Sequence, residues 1–93
     1  MNKNELLELI TEAAKEEWFG IDLSGLGLTT IPAEILELTD LQSLDLSVNR
    51  LTSLPPEISR LTGLQGLHLS NNRLMAVPTE IGRLTSLEWL NLC

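Results

Sequence analysis

Cysteine, aromatic residues and positive charge are all scarce in this 93-residue chain, and each scarcity closes off a class of protein. The lone cysteine, Cys93, is the last residue and has no partner within the chain, so no internal disulfide staples the fold and a reducing compartment suits it. Two tryptophans, one phenylalanine and no tyrosine leave too few rings to build a core around, so branched aliphatics must fill it in a regular lattice. Six Lys and Arg against thirteen Asp and Glu give a net charge of −7, which repels phosphate backbones and anionic lipid and excludes nucleic acid and membrane surfaces as expected partners. No stretch approaches the roughly 20 apolar residues that a membrane span requires. The N-terminus carries Lys3, but Glu5, Glu8 and Glu12 interrupt any signal-peptide run, so a cytoplasmic location is expected.

Catalytic equipment is equally thin. A nucleophile beside a base, a carboxylate pair in a cleft or a phosphate-cradling glycine loop would point to an enzyme. The chain has one histidine and a terminal cysteine, and none of its glycines leads into the Lys-Ser/Thr of a phosphate loop. Neither an enzymatic activity nor a cofactor is expected.

What the chain has in abundance is leucine at a fixed period. Residues 38–51, LTDLQSLDLSVNRL, align with 61–74, LTGLQGLHLSNNRL, at a shift of 23, and the match runs on through Leu54-Pro55-Pro56-Glu57-Ile58 over Val77-Pro78-Thr79-Glu80-Ile81. One period earlier, Trp18, Ile21, Leu23, Ser24, Leu28, Ile31, Pro32, Glu34 and Ile35 fall on the same lattice as a degenerate first copy. One period later, Leu84, Leu87, Leu90 and Leu92 begin a fourth copy that ends at Cys93, before its asparagine position. The array therefore reads as about three repeats plus a truncated fourth over residues 18–93.

The pattern L-x-x-L-x-L-x-x-N-x-L, followed by L-x-x-L-P-x-x-I, resembles the 23-residue class of leucine-rich repeats. It is similar to the repeat regions of scaffolds that bind Ras-like GTPases, of LAP-type polarity scaffolds and of bacterial and cyanobacterial Roco proteins. The resemblance covers Lys15 to Cys93. It implies an α/β fold, a right-handed solenoid with a short parallel sheet on its concave face, and a role in binding another protein. Two settings stay open: a stand-alone binding module, and a piece of a larger signalling protein such as a Roco-type GTPase or a scaffold.

Residue chemistry gives the lattice its physical basis. The Leu-x-Leu pairs (Ile21 and Leu23, Leu44 and Leu46, Leu67 and Leu69, Leu90 and Leu92) have period two, which turns both apolar side chains of a short strand inward. Asn49 and Asn72 follow the strand, where a structural amide can pair the turning backbone of its own and the neighbouring repeat. Leaving such groups unpaired costs roughly 1–3 kcal/mol each. The first copy has Leu26 in that position, between Gly25 and Gly27, which are expected to let its turn form without the amide. Pro32, Pro55 and Pro78 predict an irregular or 3₁₀ return limb. Residues 1–17 predict an N-terminal capping helix: Asn2 caps, Glu5 completes a capping box, and Leu6, Ile10, Ala13 and Trp18 share a face. Such a cap shields the first core layer of a solenoid.

With strands in register, three columns of side chains face outward from the concave surface: Gly20, Ser43, Gly66 and Trp89; Asp22, Asp45, His68 and Asn91; and Ser24, Ser47, Ser70 and Cys93. Members of a column stand about 4.8 Å apart. Asp22, Ser43, Asp45, Ser47, His68, Ser70, Trp89 and Asn91 are the candidate partner-binding residues, the carboxylates for a partner's basic group and Trp89 as an aromatic anchor. The plainer alternative is that small polar side chains suit a flat, wetted surface and that Trp89 packs into the end of the array. Metal binding by Asp22, Asp45 and His68 is not expected, because rigid strands cannot wrap an ion. The exposed last layer predicts end-to-end self-association, a homodimer through the C-terminal strand, with Cys93 at the contact.

Overall fold

The computed structural model describes residues 2–92; Cys93, and with it the end of the third column and the expected thiol contact, lies outside the described residues. The chain opens with helix α1, Lys3–Lys15. Asn2 caps it: the Glu5 amide donates to Asn2 Oδ1 at 2.8 Å and the Asn2 amide donates to Glu5 Oε1 at 3.4 Å, satisfying two donors that a helix start leaves free. At the other end Glu17 turns left-handed, with φ 55°. The Glu17 amide bonds the Ala14 carbonyl and the Trp18 amide bonds the Ala13 carbonyl, the paired closure that ends many helices. Leu6, Ile10 and Ala13, spaced four and three apart, form the buried stripe of α1, which packs on the first coil.

Four three-residue strands follow: β1, Gly20–Asp22; β2, Ser43–Asp45; β3, Gly66–His68; and β4, Trp89–Asn91. They pair in parallel, in chain order, with a register shift of one repeat at every step, so Ile21, Leu44, Leu67 and Leu90 are direct neighbours. The central leucine of each strand therefore stacks on its equivalents to make a continuous apolar layer. Between strands the chain returns through 3₁₀ segments at Ala33–Glu37, Pro56–Arg60 and Thr79–Arg83. Pro32, Pro55 and Pro78 stand immediately before them, and each proline carbonyl accepts the first hydrogen bond, from the amide of Ile35, Ile58 or Ile81. Because 3₁₀ turns are short, the return limb fits within a 23-residue coil.

The core lies between the sheet and these segments. Leu23, Ile35, Leu41, Leu44, Leu46, Leu51, Ile58, Leu61, Leu64, Leu67 and Leu69 are fully buried. Burying a leucine or isoleucine side chain contributes about 1.5–3 kcal/mol, so the lattice is the chief source of stability.

Asn49 links the second coil to the first. Its Nδ2 donates to the carbonyls of Leu23 and Leu46, each at 2.9 Å, and its Oδ1 accepts from the amides of Leu26 and Leu28 at 3.0 and 2.9 Å. The first coil, with Leu26 in the asparagine position, is thus closed by the amide of its neighbour and not by its glycines alone. Asn72 repeats the arrangement one coil on, donating to Leu46 and Leu69 carbonyls and accepting from the Leu51 amide. Gly25 contributes backbone freedom instead, since it occupies a left-handed slot, φ 68°, that recurs at Val48 and Asn71 with φ 56° and 58°.

Candidate functional site

The sheet sets the geometry of the outward columns. Gly20, Ser43, Gly66 and Trp89 are register partners across the four strands, as are Asp22, Asp45, His68 and Asn91. Four strands at the usual spacing of about 4.8 Å make a surface about 14 Å from β1 to β4. Side chains on either side of a central leucine must project away from the core, because the leucine between them projects into it.

The two aspartates are not free side chains. Oδ1 of Asp22 accepts from the Ser24 amide at 2.9 Å and the Ser24 hydroxyl at 2.6 Å. Oδ1 of Asp45 accepts from the Ser47 amide at 3.0 Å and the Ser47 hydroxyl at 2.6 Å. These pairs turn the chain out of β1 and β2, an Asx turn in which an aspartate stands in for a backbone carbonyl. The Ser24 hydroxyl and amide hold the Asp22 carboxyl below its ordinary value of 3.8, against a small opposing effect of burial. Each carboxylate stays anchored by Oδ1 while Oδ2 remains to meet solvent or a partner. In β3 the equivalent of the aspartate is His68, and Ser70 has no carboxylate two residues before it.

His68 serves Trp89 instead. The indole Nε1 of Trp89 donates to His68 Nε2 at 3.2 Å, and the rings sit 6.5 Å apart at an interplanar angle of 55°. Indole nitrogen only donates, so His68 Nε2 must be the unprotonated nitrogen and Nδ1 carries the proton. The indole lies over Gly66: a Cβ there would stand 2.6 Å from Trp89 Nε1 and 2.8 Å from Cε2. Gly66 is buried, whereas its column neighbours Gly20 and Ser43 are exposed. Trp89 itself remains 51% exposed, so it is neither a core residue nor a freely projecting ring.

Three-residue strands thus bring Ser43, Asp45, His68, Trp89 and Asn91 onto one open face, with Asp22 and the anchored Ser24 and Ser47 along its border. Phe19, 65% exposed, precedes β1 at the far end. Sequence reasoning placed these columns but missed the Trp89, Gly66 and His68 assembly. Its signal was a glycine at the column position one period before the only bulky residue of that column.

None of the column residues lines the open cleft of about 540 Å³ between the start of α1 and the first coil, where Leu6, Leu7, Leu26, Leu28, Ile31 and Pro32 meet. Among the described residues, no group of three or more His, Cys, Asp or Glu side chains is placed to hold a metal ion. No helix among them is long and apolar enough to cross a membrane.

Stacked parallel strands with a 23-residue register, an asparagine bridging each coil to its predecessor and 3₁₀ return limbs agree with the family model for a leucine-rich repeat region, which matches residues 21–93. The chain belongs to the leucine-rich repeat family. Domains of this family generally mediate protein–protein interaction. Among solved structures, this leucine-rich repeat chain is similar to a leucine-rich repeat protein of Leptospira interrogans, at 26% identity and a TM-score of 0.48, over 88% of this chain and 32% of that one. The chain thus spans about a third of the length of that relative. No curated protein matches it.

Proposed function

We propose that this leucine-rich repeat chain is a non-enzymatic binding module that receives a basic segment of a partner protein on the concave face of its sheet. The observation that carries this reading is the pairing of anchored carboxylates with a half-exposed indole on one face. Asp22 and Asp45 present charge held in place by Ser24 and Ser47, so little side-chain freedom is lost when a lysine or arginine of the partner meets them. Trp89 offers the ring that interfaces favour as an anchor, already oriented by His68. Ser43 and Asn91 supply small polar groups between them, and Ser70 marks the border of β3. The chain's net charge of −7 adds long-range attraction for a basic partner.

The reading is tested by capture of interacting proteins from a native lysate with the unaltered chain, repeated with three variants. Asp45→Asn keeps the oxygen that Ser47 requires and removes only the charge; Trp89→Ala removes the ring; Arg60→Glu alters the 3₁₀ side as a control. Partners lost from the first two and kept by the third support the concave face. Partners kept unchanged by both concave variants overturn it.

A further inference from the structure

The two ends of the array differ. At the N-terminal end α1 covers the first core layer, and its outer face is polar, with Glu5, Glu8, Glu12 and Glu16 exposed. At the other end the last layer is open. Leu92 is 45% exposed, where its equivalents Leu23, Leu46 and Leu69 are fully buried. Leu74, Ile81, Leu87 and Leu90 are only partly buried, where Leu51, Ile58, Leu64 and Leu67 are fully so.

The backbone of this edge is equally unfinished. The carbonyl of Gln42 accepts the amides of Gln65 and Gly66, and that of Gln65 accepts those of Glu88 and Trp89; the Leu23, Leu46 and Leu69 amides donate forward to Asp45, His68 and Asn91. By the same register the Glu88 carbonyl and the Leu92 amide point outward from β4 with no strand to meet. Backbone polarity alternates along a strand, so the amide and carbonyl of Leu90, midway between them, point outward too.

Charge decides what can cover this edge. Residues 70–93 contain Arg73, Arg83, Glu80 and Glu88 and are neutral, so the whole net charge of −7 resides in residues 1–69. A second copy therefore meets no like-charge barrier at this end, whereas it would at the acidic α1. A head-to-tail stack is blocked because α1 occupies the complementary layer, which leaves a two-fold contact between identical ends.

We propose that two copies of the chain associate through their last coils, β4 pairing antiparallel with β4 of the second copy about a two-fold axis at Leu90. In that register Leu90 exchanges two backbone hydrogen bonds with its own equivalent, and each Leu92 amide donates to the Glu88 carbonyl of the other copy. The sheet becomes eight strands, and the half-exposed leucines close over one another. Trp89 of one copy comes opposite Asn91 of the other, which joins the two concave faces into one. This contact is independent of whether that face binds a basic segment.

Sedimentation of the chain from about 1 to 100 µM, the range in which a modest interface forms, is expected to show a mass rising to twice that of the chain. The melting temperature should rise over the same range, as it does when only the folded state associates. A monomer at every concentration with a constant melting temperature overturns the proposal. Leu92→Lys, which puts an ammonium on an already exposed edge position, should abolish the dimer.

Register is tested without relying on that variant. Trp89→Cys and Asn91→Cys, each with Cys93→Ser, are mixed under mild oxidation. Opposed residues of this type lie about 4.5 Å apart in Cα, within disulfide reach. Covalent dimers are expected in the mixture and not in either variant alone. Absence of crosslinks, or equal crosslinking in the unmixed variants, overturns the pairing.

Discussion

Single residues carry more of this fold than their size suggests. Asn49 is the only polar residue in the buried set, and it serves two coils at once. Asn49→Ala leaves the Leu26 and Leu28 amides and the Leu23 and Leu46 carbonyls short of a partner, so a loss of roughly 3 kcal/mol is expected from the midpoint of urea unfolding. Asn72→Ala should cost about half as much, because Asn72 is only half-buried and accepts a single amide. Val48 is the converse case. It sits left-handed at φ 56° with its branched side chain 55% exposed, in the slot that Asn71 fills one coil later. Val48→Asn should stabilise the chain by about 1 kcal/mol in the same assay, since the strain is relieved and no core contact is lost. Asp22 makes stability depend on pH in a defined sense. Its folded-state value lies below the unfolded one, so its contribution is complete above about 3.8 and is lost as pH falls through the lower folded value. Acid unfolding should therefore begin at a higher pH in Ser24→Ala, which removes the hydroxyl that holds the carboxylate charged.

At the scale of elements, every short strand and 3₁₀ segment depends on its neighbours, and only α1 has caps of its own. Asn2 and Glu5 close its start, and the paired bonds from Glu17 and Trp18 close its end. That closure requires a left-handed residue, and glutamate meets the requirement at a cost of about 1 kcal/mol that glycine avoids. Glu17→Gly is expected to raise the thermal midpoint, with no change in the far-ultraviolet circular dichroism spectrum. The outer face of α1 is less settled electrostatically. The Glu12 carboxyl is raised from its ordinary value by the hydrogen bond and the charge of Glu16, while Glu16 is lowered by the hydrogen bonds of Glu12 and Trp18. These two glutamates, one helical turn apart, hold one proton more readily than either would alone.

Across the whole molecule, stability should fall from the centre toward the open end. The second and third coils bury their strand leucines completely, whereas the last coil leaves Leu90 partly buried and Leu92 45% exposed. A repeat array is held by contacts between neighbours, so a coil with one neighbour opens more often than a coil with two. Hydrogen exchange should protect the amides of β2 and β3 most and those of β4 least at low protein concentration. If the last coils pair between copies, protection of β4 alone should rise with concentration, which separates the two effects in one experiment.

Much of this architecture was legible in the chain. A shift of 23 aligns leucines, asparagines and prolines because each coil must bury the same layer, pair the same turn and reverse the same way; so strands, columns, 3₁₀ limbs and capping helix follow from residue spacing alone. Side-chain partnership was not legible. The Ser24 and Ser47 hydroxyls holding Asp22 and Asp45, the indole of Trp89 resting on Gly66 and bonded to His68, and the service Asn49 gives to the coil before its own all join atoms whose meeting depends on rotamers and on strand separation. Periodicity determines which residues share a face, because translation along a lattice is a one-dimensional property; which of them touch was decided only when the coils stacked and each side chain chose its direction in three dimensions.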